Sequence, residues 1–388
     1  MTSKEDLIPL LKERVDWYSE EQGETKPVFS MDRFFVHKFV LIEQVLQKVH
    51  AADGPVFTSV NNEFKKLEER VKTDELGKEL LSLSKTDIEK LKSIFPNHLF
   101  NPYFEIFSGY PMRKRIYENL TAPTYFNRIS AEELASMLNG YVDHIKKAMA
   151  GTNLKNRIDR FERGSHKNYS SLMGYLDALF ETHSKLLVLR IDLGYHQVFS
   201  GVGVGSRIIP YGVVKKHRDT LIGNLGGFLK KRLSKDCYVG YALKLEYGAQ
   251  KAWHYHTLII LNGQRVREDA NIAMMIGEYW KSITEGMGLY YNCNANKTRY
   301  QTLGIGLIDH RNTVLRDGLK KVVAYMTKTD LCAKLVIPGK GRAFSRGEMP
   351  KKTKAQGRPR TKKVTSSLWS GDGCFRTPHG PQGAPAST

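Results

Sequence analysis

Trp253-His254-Tyr255-His256 opens a run that continues as Leu258-Ile259-Ile260-Leu261. In an extended chain residues two apart share a face, so both imidazoles project together and Tyr255 projects to the other side. Two imidazoles side by side form a two-ligand platform for a metal ion, and two structural histidines on one sheet face are the plain alternative. The run before it, Tyr238–Tyr247, is joined to it by Gly248-Ala-Gln-Lys-Ala252 and reads as the first arm of an antiparallel hairpin. With that loop Glu246 stands opposite His254 and on its face, whereas a hairpin one residue tighter would turn Glu246 away. Two nitrogens and one carboxylate leave coordination positions open. That suits Mg²⁺ or Mn²⁺ holding a phosphate oxygen better than a closed structural zinc site.

A third element is Val322-Val-Ala-Tyr325-Met-Thr-Lys328. Residues three apart on a helix share a face, so the Tyr325 phenol and the Lys328 ammonium can reach one space. A phenol with its ordinary pKa of about 10 is a poor nucleophile at neutral pH, and a metal-polarised phosphate beside a cation would help its attack. A tyrosine packed at a helix boundary is the reading this pattern alone leaves open.

The elements that must position these groups follow from periodicity. In the first hundred residues Ser3 precedes the stripe Leu7, Leu10, Leu11 and Val15, and Ser30 precedes Phe34, Phe35, Val40, Leu41 and Leu46; further amphipathic segments fit Thr58–Lys72 and Ser84–Ile94, with Pro96 and Pro102 closing the series. Helical patterns continue over Glu132–Ala148 and Tyr169–Thr182, separated by the basic stretch Lys155–Lys167. The period then changes. Lys185–Leu193 reads as a buried strand, Gly201–Gly205 as a loop, Val213–Leu233 as a helix, Glu268–Ile283 as another, Leu303–Asp309 as a short strand, and Val314–Lys328 as a helix capped by Asn312 or Thr313. The expected class is α+β. Its expected divisions are a helical N-terminal domain (1–112), a helical connecting region (113–182), the site-bearing domain (183–337) and a basic, disordered tail (338–388).

Charge points to a polyanion. The chain of 388 residues carries 60 Lys and Arg against 40 Asp and Glu, a formal charge of +20. Residues 1–110 hold 15 basic and 19 acidic side chains, 111–331 hold 33 and 19, and 332–388 hold 12 and 2. With the positive field confined to the middle and the tail, nucleic acid is the expected partner. Lys215 and Lys216 on one helix, and Lys351, Lys352, Arg358, Arg360, Lys362 and Lys363 in the tail, are the candidate DNA contacts. Cys237, Cys293, Cys332 and Cys374 form no CxxC pair, which argues against a disulfide framework or a zinc ribbon and for a reducing cytosol. No apolar run is long enough to span a membrane, and the N-terminus is charged from its fourth residue, so neither a membrane nor a secreted protein is expected. GxGxxG and GxxxxGK[ST] are both absent, so a nucleotide-driven motor is not expected.

A Glu-bearing strand, WHYH on the next strand and YMTK on a helix about seventy residues later form an ordered trio. It resembles the HUH endonuclease superfamily of rolling-circle replication initiators. From about Leu186 to Lys334, with GIGLIDHRN and the later RAFSRG, the chain is most similar to the replication initiators of filamentous phages (inovirus type) and to the related YagK/YfjJ-type prophage proteins. His-x-His before Tyr is the order of those initiators, whereas conjugative relaxases place their tyrosine first. The resemblance implies an antiparallel sheet flanked by helices, with metal ligands His254, His256 and Glu246, nucleophile Tyr325, and Lys328 as its electrostatic partner. Lys185–Leu193 corresponds to the family's first motif strand, without distinctive residues of its own. Lys320, Lys321 and Thr329 occupy the neighbouring turns where some relatives carry a second tyrosine, which implies a single-tyrosine enzyme.

The implied activity is a metal-dependent, site-specific nick in single-stranded or origin DNA through a 5′-phosphotyrosine link, starting rolling-circle replication in a bacterial cytoplasm with a host helicase and polymerase. The alternatives are an HUH transposase or mobilisation nuclease, and a non-catalytic prophage DNA-binding regulator.

Overall fold

A computed structural model of the chain describes residues 16–21, 24–28, 31–60, 71–121, 129–199, 207–248, 252–337, 339 and 341–351. It is an α+β protein. The described residues up to Pro350 belong to one compact unit.

The N-terminal half is mostly helical. A hairpin of β1 (Asp16–Glu21) and β2 (Glu24–Val28) precedes α1 (Met31–Ala51). Then come β3 (Phe57–Ser59), β4 (Val71–Thr73), α2 (Glu75–Ser84), α3 (Ile88–Ile94), β5 (His98–Phe100), α4 (Pro102–Ser108), α5 (Arg113–Thr121), α6 (Ala131–Met149) and α7 (Leu154–Thr182). Side-chain caps mark the starts: Asp74 accepts from the Gly77 amide at 2.8 Å, Asp87 from Lys90 at 2.9 Å, Asn101 from Phe104 at 2.8 Å and Ser130 from Glu133 at 3.0 Å. The apolar stripes of α1, α2, α4 and α6 close one core around Ile42, Leu46, Phe104, Leu138 and Ile145.

Several sequence expectations change here. The helix expected after Ser3 lies outside the described residues, as does the Gly201–Gly205 loop. Thr58–Lys72 is not an amphipathic helix where it is described: its ends belong to β3 and β4, which pair antiparallel. Asn139 of α6 holds that pairing, accepting from the amides of Val56 and Phe57 at 3.2 and 3.0 Å and donating to the Phe57 carbonyl at 2.8 Å. Ser84–Ile94 is not one helix: Ser84 is the last residue of α2, and Asp87 caps a new start at Ile88. Pro102 does not close the series; it is the first residue of α4, where proline's missing N–H costs nothing. Lys155–Lys167 does not separate two helices either, since α7 runs unbroken for 29 residues.

The second half is built on β6 (Lys185–Tyr195), α8 (Tyr211–Arg232), β7 (Tyr238–Gly248), β8 (Ala252–Asn262), α9 (Asp269–Ile283), β9 (Gly288–Asn292), β10 (Gly306–Asp309), α10 (Thr313–Lys328), β11 (Ala333–Leu335) and β12 (Phe344–Arg346). Six of these strands form one antiparallel sheet in the order β10-β6-β8-β7-β12, with β9 also on β6. The period-2 alternation of β6 and β8 divides two cores. Leu186, Val188, Leu258 and Ile260 face α7 and α10, while Leu187, Leu189, Ile259 and Leu261 face α8 and α9. α10 packs closely on the chain before β10: a Cβ on Gly318 would sit 1.9 Å from the Leu303 carbonyl oxygen, so only glycine permits the approach.

The sheet also overrides the boundary expected at 338. Phe344, Ser345 and Arg346 pair with Lys244, Leu243 and Ala242, and Phe344 is buried. The basic composition around this segment hid an edge strand whose one large apolar residue fills the core. Further back, β11 pairs with β5, and the Asn101 amide donates to the Cys332 carbonyl at 3.1 Å, so the segment just after α10 is stitched to the N-terminal half.

Candidate metal centre and its tyrosine

On the α10 side of the sheet the apolar alternation gives way to polar residues on three adjacent strands. Asp192 of β6, His256 of β8 and Lys244 of β7 lie in one cross-strand row; Glu246 and His254 pair in the next. The 248–252 connection sets the expected register, with Glu246 opposite His254. Arg190 precedes Asp192 by two residues on the same face. Buried charges of this kind are costly unless paired, so their concentration at one place marks a functional candidate.

His256 Nδ1 lies 2.7 Å from Asp192 Oδ1, and His254 Nδ1 lies 3.2 Å from the Ala252 carbonyl. With Nδ1–H donating in both rings, the two Nε2 lone pairs point inward. They converge on Glu246 Oε2, at 3.5 Å from His254 and 3.3 Å from His256. All three ligand atoms lie within 4.8 Å of one another. Acceptors facing acceptors at such separations are reconciled by a proton on Nε2 or by a cation between them, and ligands sharing one ion at bonds of about 2.1 Å stand about 3.0–3.5 Å apart. The donor set therefore fits a divalent metal, with Asp192 as the outer carboxylate that orients a ligand histidine. Burial disfavours a charged His256 ring, but the carboxylates of Asp192 and Glu246 outweigh it and raise the imidazole above its usual pKa. A proton and a metal thus compete for the same Nε2.

Tyr325 arrives from α10. Its hydroxyl is 3.3 Å from His256 Nε2, its ring meets the His256 ring edge-to-face at 5.3 Å, and the Arg190 guanidinium lies over the same ring at 4.7 Å. Tyr325 is 3% exposed, whereas the Glu246 side chain is 16% exposed, so the pocket opens on the Glu246 side. Lys328 closes the same helix, and its side chain lies outside the described residues. A buried ion pair fixes the end of that helix: Lys244 Nζ lies 2.5 Å from Asp330 Oδ2.

His254, His256, Glu246 and Tyr325 are therefore brought together. Lys215 and Lys216 are not brought to them, because α8 packs on the opposite face of the sheet; both are exposed, and Lys215 lies 3.6 Å from Asp219. Lys351 is exposed, and Lys352, Arg358, Arg360, Lys362 and Lys363 lie outside the described residues. Sequence reasoning missed Arg190, Asp192 and Lys244. The signal available was a pair of opposite charges two apart inside an otherwise apolar strand.

An antiparallel sheet covered by helices on both faces, with a candidate metal triad beside a buried tyrosine, defines an α+β domain. Residues 148–346, slightly over half the chain, match the YagK/YfjJ C-terminal domain, and the chain belongs to that prophage-associated family. No curated protein and no solved structure gives a significant match. Among the described residues no helix is long and apolar enough to cross a membrane.

Proposed function

We propose that this protein is a rolling-circle replication initiator of the HUH type, a single-tyrosine endonuclease and strand transferase acting on single-stranded or origin DNA in the bacterial cytoplasm. The observation that carries this reading is the Tyr325 hydroxyl 3.3 Å from Nε2 of His256, a ring that also belongs to the metal triad. It puts a nucleophile beside the place where a phosphate oxygen would be held.

His254, His256 and Glu246 would hold Mg²⁺ or Mn²⁺, which would supply Lewis-acid polarisation of the scissile phosphate. The Tyr325 oxygen forms a bond to phosphorus as the P–O3′ bond breaks. The phenol loses one proton and the departing 3′ oxygen gains one, leaving a 5′-phosphotyrosine link and a 3′-hydroxyl for a host polymerase. Asp192 keeps the His256 tautomer, and the Lys244–Asp330 pair holds the end of the tyrosine helix.

Charge complementarity supports the reading. Among the described side chains Arg190 and Lys244 give +2 and Asp192, Glu246 and Asp330 give −3, a sum of −1 with neutral histidines, so that these groups accommodate a dication. Without a motor motif, strand opening falls to a host helicase.

The test is a denaturing gel of the full chain with labelled candidate origin oligonucleotides and Mn²⁺. A covalent protein–DNA band is expected from the parent and from the control variants Tyr290→Phe and Tyr291→Phe, and none from Tyr325→Phe. A band that persists in Tyr325→Phe would move the nucleophile elsewhere.

A further inference from the structure

Of the charged groups on this sheet face, Arg190 has no task in the chemistry above, and its surroundings are unusual. The residue is 7% exposed, and its Nε is buried with no hydrogen-bond partner among the described residues. The nearest carboxylate oxygen, Asp192 Oδ1, is 3.7 Å from Nε, beyond hydrogen-bond range, and is already engaged by His256 at 2.7 Å. A guanidinium buried for structural reasons is normally held by a bidentate carboxylate. Lys244, the other buried cation of the site among the described residues, is committed to Asp330 at 2.5 Å.

The Arg190 backbone is fixed on both edges. On one side it pairs with Leu258 of β8. On the other, β10 stops at Val188 and β9 begins at Ile191, leaving a gap in the ladder. Asn294 fills it as a peptide group would, accepting from the Arg190 amide at 2.8 Å and donating to the Val188 carbonyl at 3.1 Å. A fixed backbone aims the side chain at the Tyr325 ring, 4.7 Å away.

We propose that Arg190 is a catalytic residue that contacts a non-bridging oxygen of the scissile phosphate as Tyr325 attacks it. This rests on the reading given under Proposed function. A guanidinium whose Nε lacks a hydrogen-bond partner, stacked on the Tyr325 ring and 3.7 Å from the carboxylate that orients His256, is prearranged for charge that gathers on that oxygen, and a planar fork matches a phosphate. The competing role is structural: to hold the Tyr325 ring and balance the buried Asp192 carboxylate.

A methylphosphonate at the scissile position separates the two, because it replaces one charged non-bridging oxygen with methyl. On the ordinary phosphodiester, Arg190→Gln should slow adduct formation by about 10²–10³-fold, the loss typical of one oxyanion donor. Arg190→Lys, which keeps the charge, should recover part of it. On the methylphosphonate diastereomer lacking the contacted oxygen, parent and Arg190→Gln should react at rates within about threefold. The same deficit on both substrates would overturn the proposal and make Arg190 a support for the ring. If Arg190→Gln fails to fold, the Arg190→Lys deficit relative to the parent takes its place: it should shrink on the methylphosphonate, and an unchanged deficit overturns the proposal. A parent protein that forms no adduct on the ordinary phosphodiester would instead sink the endonuclease reading.

Discussion

Asp192 holds His256 by a 2.7 Å contact that crosses from β6 to β8, joining residues 64 positions apart. The carboxylate fixes which imidazole nitrogen carries the proton and so which one can ligate. Asp192→Ala should weaken Mn²⁺ binding by about 10–100-fold, and Asp192→Asn should do so less if its amide oxygen still accepts from Nδ1. Calorimetric titration of the intact chain reads this directly. Equal affinity in parent and both variants would leave Asp192 without a part in the centre.

Protonation of His256 gives the metal-free protein and the metal complex opposite pH dependences. Its folded pKa is raised, so the charged ring contributes stability that is complete below the unfolded value of about 6.5 and is lost as pH rises through the folded value. Metal binding needs the neutral ring and therefore strengthens over the same rise. Thermal melts in EDTA should show the midpoint falling above about pH 6.5, and His256→Ala should remove that part of the fall. A midpoint that climbs through this window by the same amount in both proteins would contradict the assignment.

Lys244 and Asp330 tie β7 to the turn after α10. Lys244→Met leaves a carboxylate without its buried cation and should cost about 3–5 kcal/mol in urea unfolding. Adding Asp330→Leu should recover much of this, because the stranded charge is gone. A double variant as unstable as the sum of the single ones would mean the two residues act separately.

Two end points distinguish the role of the basic C-terminal segment. Stopping after Lys351 keeps β12 and removes the six Lys and Arg between 352 and 363. The slope of log affinity for single-stranded DNA against log salt should flatten by about 0.7 for each phosphate they neutralise, with cleavage at saturating DNA unchanged. Stopping at Pro338 also removes Phe344 from the core and should lower the unfolding midpoint. An unchanged salt slope in the longer form would direct the tail to some other partner.

The hairpin carrying Glu246, His254 and His256 was legible because one short connection sets its register and alternation sets its face. Tyr325 was legible only through the ordered trio it completes with that hairpin, because its place on an amphipathic helix fits a packed core tyrosine equally well. Arg190, Asp192 and Lys244 were not, since a strand buried on both faces reads as a plain apolar run, and the meaning of its charges depends on neighbours far along the chain. α7 misled for the opposite reason: most of its first half faces solvent, so no apolar stripe announces the helix through Lys155–Lys167. β3 and β4 depend on the Asn139 side chain, about eighty positions away from β3, which no local pattern reveals.

The stitching of β11 to β5 also sets an order of assembly. Glu246 and His256 are ten positions apart on one hairpin, while Leu99 and Lys334, paired across the β5–β11 junction, are separated by 235. Closing the longer loop costs more chain entropy and comes later. A refolding chain should therefore build its candidate metal ligands first and acquire the anchored end of the tyrosine helix last. Pulse-labelled hydrogen exchange should find the β7–β8 amides protected before those of β11, so that an early intermediate holds the candidate metal ligands together before the end of the Tyr325 helix is anchored.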